Sequence, residues 1–185
     1  PIGIICSSCG DTNIEAWIPS EDIAYNFPDM PQDHLTPEGV VSNDKYVSSM
    51  RFNGQFAPIV PYTFRGMIWY QGETNRIRYP SDERYPLLAK VFVDAMRREF
   101  RNPDMPFYFC QICPYAYTNA NAFRNGYFWE AQTRILPLVS DSHMISTCDL
   151  GSFATNHPPR KKEVGERFAL SAMQHTYGCK WIQMD

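Results

Sequence analysis

Short runs of aliphatic and aromatic residues recur along the chain, separated by much longer connections. They are IGIIC (2–6), GMIWY (66–70), PFYFCQI (106–112) and HMISTCD (143–149). Runs this short and this apolar are typical of strands that are covered on both faces. Since parallel strands need long crossover connections, the spacing predicts an α/β fold with a central parallel sheet.

Three segments have the apolar spacing of amphipathic helices. They lie at about 81–100, 128–136 and 160–177. Pro86 must fall in the first turn of the first helix, so we expect its regular part to begin near Tyr85. Gly178 follows the last helix and predicts where it stops.

The length of the chain fits one domain, because 185 residues are enough to bury a sizeable core. We therefore predict a single domain over residues 1–185. Within it, the segment 18–62 carries six prolines and few periodic apolar runs. We interpret this segment as irregular surface chain on the substrate side of the domain.

Composition and charge argue against several classes of partner. The net charge is −3 and the longest basic stretch is RKK (160–162), which disfavours nucleic acid as the main partner. No apolar run reaches the ~20 residues of a membrane span, so no membrane partner is expected.

Metal and redox chemistry are also disfavoured. No two histidines have metal-ligand spacing. The pair Cys110-x-x-Cys113 lies in an aromatic strand, where structural packing is favoured over a redox or metal role. We therefore expect neither a cofactor nor a metal.

The loop SSCGDTN (7–13) directly follows the first apolar run. Ser7 and Ser8 are candidate nucleophiles, and the backbone N–H of Gly10 can stabilise a developing oxyanion. The alternative is a tight turn whose hydroxyls bind nearby backbone groups. The residues alone leave both interpretations open.

The second apolar run leads into Gln71-Gly72-Glu73, with Asn75 shortly after. Ligands of parallel sheets bind at the carboxyl ends of the strands, where these two amides can donate hydrogen bonds to an oxyanion. Glu73 is either an acid of the site or a link between loops, and we favour the link. Asn53, in an Asn-Gly turn before this strand, either borders the same cleft or is an ordinary turn residue.

His157 lies in the loop TNHPPR, just before the predicted helix at 160–177. Two prolines fix the entry to that helix, and a histidine held there can act as a general base near neutral pH. A single histidine is more often without a catalytic role, so spacing alone does not decide between the two.

Taken in order, these segments resemble the sialate O-acetylesterases, which are SGNH (GDSL-like) carbohydrate esterases. The resemblance is carried by PIGIICSSCGDTNIEAW (1–17), FNGQFAPIVPYTFRGMIWYQGETN (52–75), PFYFCQICPY (106–115), WEAQTRILPL (129–138) and DLGSFATNHPPRKKEVGERFAL (149–170). It implies a three-layer α/β/α sandwich and the removal of O-acetyl groups from sugars by a serine nucleophile and a histidine base. In that scheme His157 is the base, and Gly10 with Gln71 or Asn75 supplies the oxyanion donors.

The first departure from the family pattern concerns the nucleophile. In the family it is the serine of a Gly-Gln-Ser-Asn block on an earlier strand, and the 185 residues contain no Gly-Gln-Ser. We therefore expect an upstream segment to supply the first strand and the nucleophile. Ser7 and Ser8 remain weak alternatives, and this chain alone is expected to be nearly inactive.

The second departure concerns the acid that orients the base. The superfamily places an aspartate three residues before the histidine, where this chain has Ala154. Asp149 or a backbone carbonyl is then expected to orient His157. In addition, Asp11 places a carboxylate next to Gly10, where family members have a second glycine.

A non-catalytic carbohydrate-binding or structural relative of the same fold is the alternative to an enzyme. The expected substrate is an acetylated carbohydrate, and both sialic acid and plant-type acetylated glycans fit. Since such glycans lie outside cells, we expect a periplasmic, extracellular or cell-surface location.

Overall fold

A computed structural model describes most of the chain, over residues 2–30, 46–78, 83–116 and 124–180. Within these ranges the backbone forms a sheet of three parallel strands: β1 (Met67–Trp69), β2 (Phe107–Cys110) and β3 (Ser142–Ile145). They lie in the order β1-β2-β3, and Phe109 of the central strand is paired with Trp69 on one side and Met144 on the other. The α/β class and the parallel sheet predicted from the apolar runs are confirmed.

The described residues also form five α-helices. They are α1 (Ser20–Asn26), α2 (Glu73–Arg78), α3 (Tyr85–Glu99), α4 (Arg124–Thr133) and α5 (Lys161–His175). Helices α2 and α3 connect β1 to β2, and α4 connects β2 to β3, as parallel pairing requires. Of the helices described, none has both the length and the apolar composition needed to cross a membrane.

The three predicted helices are present with shifted ends. Helix α3 begins at Tyr85, as Pro86 requires, while residues 81 and 82 of the prediction lie outside the described residues. Helix α5 ends at His175, and Gly178 follows with a φ of +66°. This is the left-handed conformation in which glycine commonly terminates a helix.

Helix α4 lies closer to the N-terminus than predicted. It begins at Arg124 rather than near 128, and it ends at Thr133 rather than at 136. The chain turns after this point, and the Leu138 N–H donates to the Ile135 carbonyl at 3.0 Å. The turn that contains Pro137 therefore starts one helical turn earlier than the apolar pattern indicated.

Residue contacts divide the chain into two compact units. Unit 1 comprises Pro1–Thr63 and Val91–Pro103, and unit 2 comprises Phe64–Lys90 and Asp104–Asp185. The whole sheet belongs to unit 2.

Unit 1 has an aromatic core. The Phe56 ring centroid lies 5.3 Å from that of Trp17 and 6.3 Å from those of Phe92 and Phe100. A π-helical turn at Phe52–Phe56 places the Phe56 side chain in this core. The prediction of irregular chain over 18–62 is therefore wrong for this turn and for α1, whereas residues 31–45 lie outside the described residues.

Unit 2 packs α5 against the sheet. The buried side chains of this core are Tyr108, Cys110, Cys113, Ile145, Leu150, Val164 and Phe168. Both cysteines carry free, buried thiols. The packing interpretation of the Cys110-x-x-Cys113 pair is therefore confirmed.

The prediction of a buried strand at residues 2–6 is wrong. This segment has no regular secondary structure, and Ile2, Ile4 and Ile5 are 81%, 88% and 48% exposed. An apolar run forms a strand only where a neighbouring strand supplies hydrogen-bond partners. No strand of the described residues pairs with this segment.

Candidate functional site

The carboxyl end of β1 places two amide side chains together in unit 2. Gln71 follows the strand and Asn75 lies in α2, and Gln71 Nε2 donates to Asn75 Oδ1 at 2.7 Å. Tyr85, at the start of α3, donates its hydroxyl to Gln71 Oε1 at 2.9 Å. Both amide residues are buried. The structure thus brings together two of the predicted oxyanion donors and holds the Gln71 amide from two sides.

Gly72 makes the turn between Gln71 and α2. Its φ is +151°, and an added Cβ would lie 2.6 Å from Phe128 Cε1 and 2.9 Å from Ile112 Cγ2. Its carbonyl accepts a helical hydrogen bond from the Arg76 N–H at 2.9 Å. The backbone that carries Gln71 therefore requires glycine both for its conformation and for its packing.

Gln132 contacts the backbone both at the end of β2 and at Gln71, just before this turn. It is buried in α4, where Oε1 accepts from the Ile112 N–H at 2.9 Å and Nε2 donates to the Cys110 carbonyl at 3.0 Å. The same Nε2 lies 3.5 Å from the Gln71 carbonyl oxygen. One amide therefore satisfies the backbone at the end of β2 and reaches the residue that ends β1.

Glu73 is the first residue of α2 and lies in a charged neighbourhood within unit 2. Burial raises the pKa of its carboxyl, and this effect outweighs the opposing effects of a hydrogen bond from its own backbone, of the Lys161 ammonium and of the nearby His157 side chain. Glu73 at the start of α2 is therefore within electrostatic reach of both the predicted base, His157, and Lys161 at the start of α5.

His157 lies in the loop between β3 and α5 and is exposed. Its backbone N–H donates to Thr155 Oγ1 at 3.0 Å. Pro158 beside it is buried, and the Lys161 N–H donates to the Pro159 carbonyl at 2.9 Å. The predicted base is thus an exposed side chain on a backbone that a hydroxyl and two prolines restrain.

Asp149 has a strong partner in α5. Arg167 donates to both of its carboxylate oxygens, at 2.7 and 2.6 Å. These hydrogen bonds lower the pKa of Asp149 to about 2. Its carboxylate is therefore engaged with Arg167, and the orientation of His157 by Asp149 stays a prediction.

The loop with the candidate serines belongs to unit 1. Ser7 Oγ donates to Gln55 Oε1 at 3.1 Å, and Ser8 Oγ lies 3.6 Å from Cys6 Sγ. These partners are an amide and a thiol rather than a base. Gly10 is exposed, with no heavy atom within 4 Å of an added Cβ. Its role as an oxyanion donor stays a prediction.

Two neighbours of this loop also lie in unit 1. Asp11 has a φ of +58°, and the Tyr46 hydroxyl donates to its Oδ1 at 3.5 Å. Asn53 is exposed in the π-helical turn, and its backbone N–H donates to the Ser49 carbonyl at 2.9 Å. This backbone bond belongs to the turn and does not involve the Asn53 side chain, so the part of Asn53 in a cleft stays a prediction.

The family of the chain follows from a match over nearly its whole length. Residues 1–174 match the family described as "Carbohydrate esterase, sialic acid-specific acetylesterase". The chain belongs to this family. The resemblance inferred from the order of the sequence blocks is confirmed.

Individual proteins are similar to the chain over nearly its whole length. The chain is 28% identical to the human protein named sialate O-acetylesterase and 25% identical to the mouse one, each alignment covering 97% of the chain. A crystal structure of a carbohydrate acetylesterase from Xanthomonas citri has a TM-score of 0.76 and 25% identity, and covers 93% of the chain. The chain spans only 36% of the human protein and 36% of the bacterial one.

Three residues near the candidate site are not predicted by the sequence: Tyr85 and Gln132, which contact Gln71, and Lys161, which lies near Glu73. Gln132 gives a signal in hindsight, because it follows the buried Ala131 on the inner face of α4, where a polar residue needs partners. Tyr85 and Lys161 give no local signal, since their contacts are with residues that are distant in sequence.

Proposed function

We propose that this chain forms part of the active site of a carbohydrate O-acetylesterase, with an O-acetylated sialic acid as the first substrate to test. The observation that supports it is the Gln71–Asn75 amide pair. This pair is fixed at the carboxyl end of a parallel strand, in a chain of this esterase family. Ligands of open parallel sheets bind at such strand ends.

In the proposed reaction a serine hydroxyl attacks the acetyl carbonyl carbon while His157 takes its proton. The carbonyl oxygen becomes an oxyanion, which amide N–H groups of Gln71 or Asn75 stabilise. His157 then protonates the departing sugar oxygen, and water releases acetate from the serine by the same steps. A preorganised donor of this kind typically contributes ~10²–10³ in kcat.

The nucleophile in this proposal is the serine of a Gly-Gln-Ser-Asn segment outside the 185 residues. The family resemblance implies this arrangement, and the sequence contains no Gly-Gln-Ser. Ser7 and Ser8 are the alternatives. Their amide and thiol partners do not activate a hydroxyl as a histidine would.

Acetate release from an O-acetylated sialic acid, measured on the longest natural protein that contains this chain, tests the proposal. His157→Gln is expected to lower kcat by about 10²–10⁴, the usual contribution of a general base. His175→Gln makes the same chemical change at the other end of α5 and is expected to leave kcat near that of the wild type. Full turnover in His157→Gln would rule out His157 as the base.

The serine variants decide the source of the nucleophile. Turnover is expected to persist in Ser7→Ala and Ser8→Ala. Turnover that disappears in one of them would assign that serine as the nucleophile instead.

Plant-type acetylated glycans serve as the second substrate class, and a periplasmic, extracellular or cell-surface location is proposed because such glycans lie outside cells.

A non-catalytic carbohydrate-binding protein is the second candidate function. Two observations about the acid that would orient His157 favour it. Position 154 is an alanine, which has no carboxylate, and the Asp149 carboxylate is bound by Arg167. A protein that binds an acetylated glycan, as measured by calorimetry, yet releases no acetate would support this candidate over the enzyme.

A further inference from the structure

Tyr70 and Lys161 connect two segments of unit 2 that are far apart in sequence. Lys161 Nζ lies 4.3 Å from the centroid of the Tyr70 ring. Tyr70 directly precedes Gln71, and Lys161 begins α5 four residues after His157. A cation over a tyrosine face at this distance is an attractive arrangement. The contact therefore joins the segment of the proposed donors to the segment of the proposed base.

The Tyr70 ring is itself fixed. Its hydroxyl donates to Cys113 Sγ at 3.3 Å, and Cys113 is buried in the core of unit 2. Burial and this hydrogen bond raise the pKa of Tyr70 well above its ordinary value. The phenol therefore stays neutral at physiological pH, and its ring offers a stable face to a cation.

Lys161 also has a carboxylate within electrostatic reach. Its positive charge lowers the pKa of Glu73, against the burial that raises it. The ammonium thus has two favourable neighbours on the β1–α2 side: a ring face and a carboxyl group. The side chain of Lys162, the next residue, is 86% exposed, and its Nζ lies 3.5 Å from Glu166 Oε1.

The chain between His157 and Lys161 is short and stiff. Pro158 and Pro159 restrict its backbone, and the Lys161 N–H closes back on the Pro159 carbonyl at 2.9 Å. A contact that fixes Lys161 therefore also limits the movement of His157.

We propose that Lys161 is a positioning residue, whose ammonium over the Tyr70 ring fixes the His157 loop relative to the end of β1. The catalytic consequence rests on the proposed function, because it matters only if His157 is the base and Gln71 a donor. The restraint itself is a property of unit 2 and exists with or without turnover.

The test compares Lys161→Met with Lys162→Met, which removes the same charge from the neighbouring position. Lys161→Met is expected to lower kcat about tenfold with little change in KM, since a small misplacement of a catalytic group can cost up to ~10²-fold. Lys161→Arg restores a cation over the ring and is expected to recover most of kcat. Lys162→Met is expected to behave as the wild type.

A second measurement does not depend on activity. The ¹⁵N order parameter of the His157 amide is expected to fall in Lys161→Met from about 0.85 toward 0.6, and to be unchanged in Lys162→Met. If the wild type shows no turnover but this loss of order occurs, the proposed function fails and the restraint stands. An unchanged order parameter overturns the proposal. An accompanying rise in KM would then indicate that Lys161 binds an anionic sugar directly.

Discussion

Replacing Gly72 by alanine tests the packing that carries Gln71. An alanine Cβ at this position would lie 2.6 Å from Phe128 Cε1 and 2.9 Å from Ile112 Cγ2, well inside van der Waals contact. The backbone φ of +151° is also one that residues with a Cβ rarely adopt. Strain of this kind costs about 1–3 kcal/mol and overpacking of a core a further ~1–3 kcal/mol. We therefore expect the free energy of unfolding to fall by about 2–6 kcal/mol.

Urea unfolding followed by circular dichroism measures this loss, and hydrogen exchange of the β2 amides localises it to unit 2. The matched control is Gly126→Ala in α4. No heavy atom lies within 4 Å of its added Cβ. Because alanine is preferred to glycine inside a helix, this control is expected to gain about 0.5–1 kcal/mol.

A double variant separates the two contributions. Phe128→Leu removes the ring atoms that an alanine Cβ at position 72 would meet, but it leaves the backbone strain unchanged. Gly72→Ala should therefore cost less in the Phe128→Leu background, by about 0.5–3 kcal/mol of coupling. A loss below about 1 kcal/mol in Gly72→Ala alone would refute the argument, since either contribution should exceed it.

Two further predictions concern polar groups of unit 2. Burial, followed by the nearby charge of His143, lowers the pKa of His175 from its ordinary 6.5, against the opposing charge of Asp141. Because the unfolded state then binds more protons, the urea midpoint is expected to fall as pH drops through about 6.5. The fall is expected to be smaller in His175→Gln, and equal pH dependence in both proteins would contradict this prediction. Gln132→Leu leaves the buried Ile112 N–H and Cys110 carbonyl without their partner, which is expected to cost roughly 1–3 kcal/mol for each group. Glu130→Gln on the exposed face of α4 is the control, and a Gln132→Leu midpoint equal to that of the control would show that the two groups find other partners.

The parallel sheet could be predicted because its signal is local. The runs at 66–70 and 106–112 contain β1 and β2, and the run at 143–149 overlaps β3, which begins at Ser142. Of these three strands, β2 is buried on both faces as predicted, whereas Ile68 of β1 is exposed. The run at 2–6 has the same composition, yet its isoleucines are exposed. What distinguishes it is the lack of a pairing partner among the described strands, and pairing is a relation between distant segments that composition does not encode.

The candidate site could be predicted only in part, for the same reason. Gln71 and Asn75 were found because they follow a strand, and position at a strand end is visible in the sequence. The contacts that hold Gln71 come from Tyr85 and Gln132, which lie 14 and 61 residues from it. The pairing of Asp149 with Arg167, 18 residues apart, likewise depends on how α5 packs.

The proposed oxyanion donor Gln71 and the proposed base His157 are restrained in different ways. Variants that affect one are therefore expected to differ in stability from variants that affect the other. The Gln71 amide is buried and hydrogen-bonded, so it stays oriented without reorganisation, as an oxyanion donor must. Changes at Gly72 or Gln132 disturb the core and the Gln71 backbone together, so we expect stability and kcat to fall together. His157 is exposed on a loop outside the core, restrained by two prolines and by Lys161 over Tyr70. Loss of this surface restraint removes few buried contacts, so Lys161→Met should lower kcat while the urea midpoint stays close to that of the wild type.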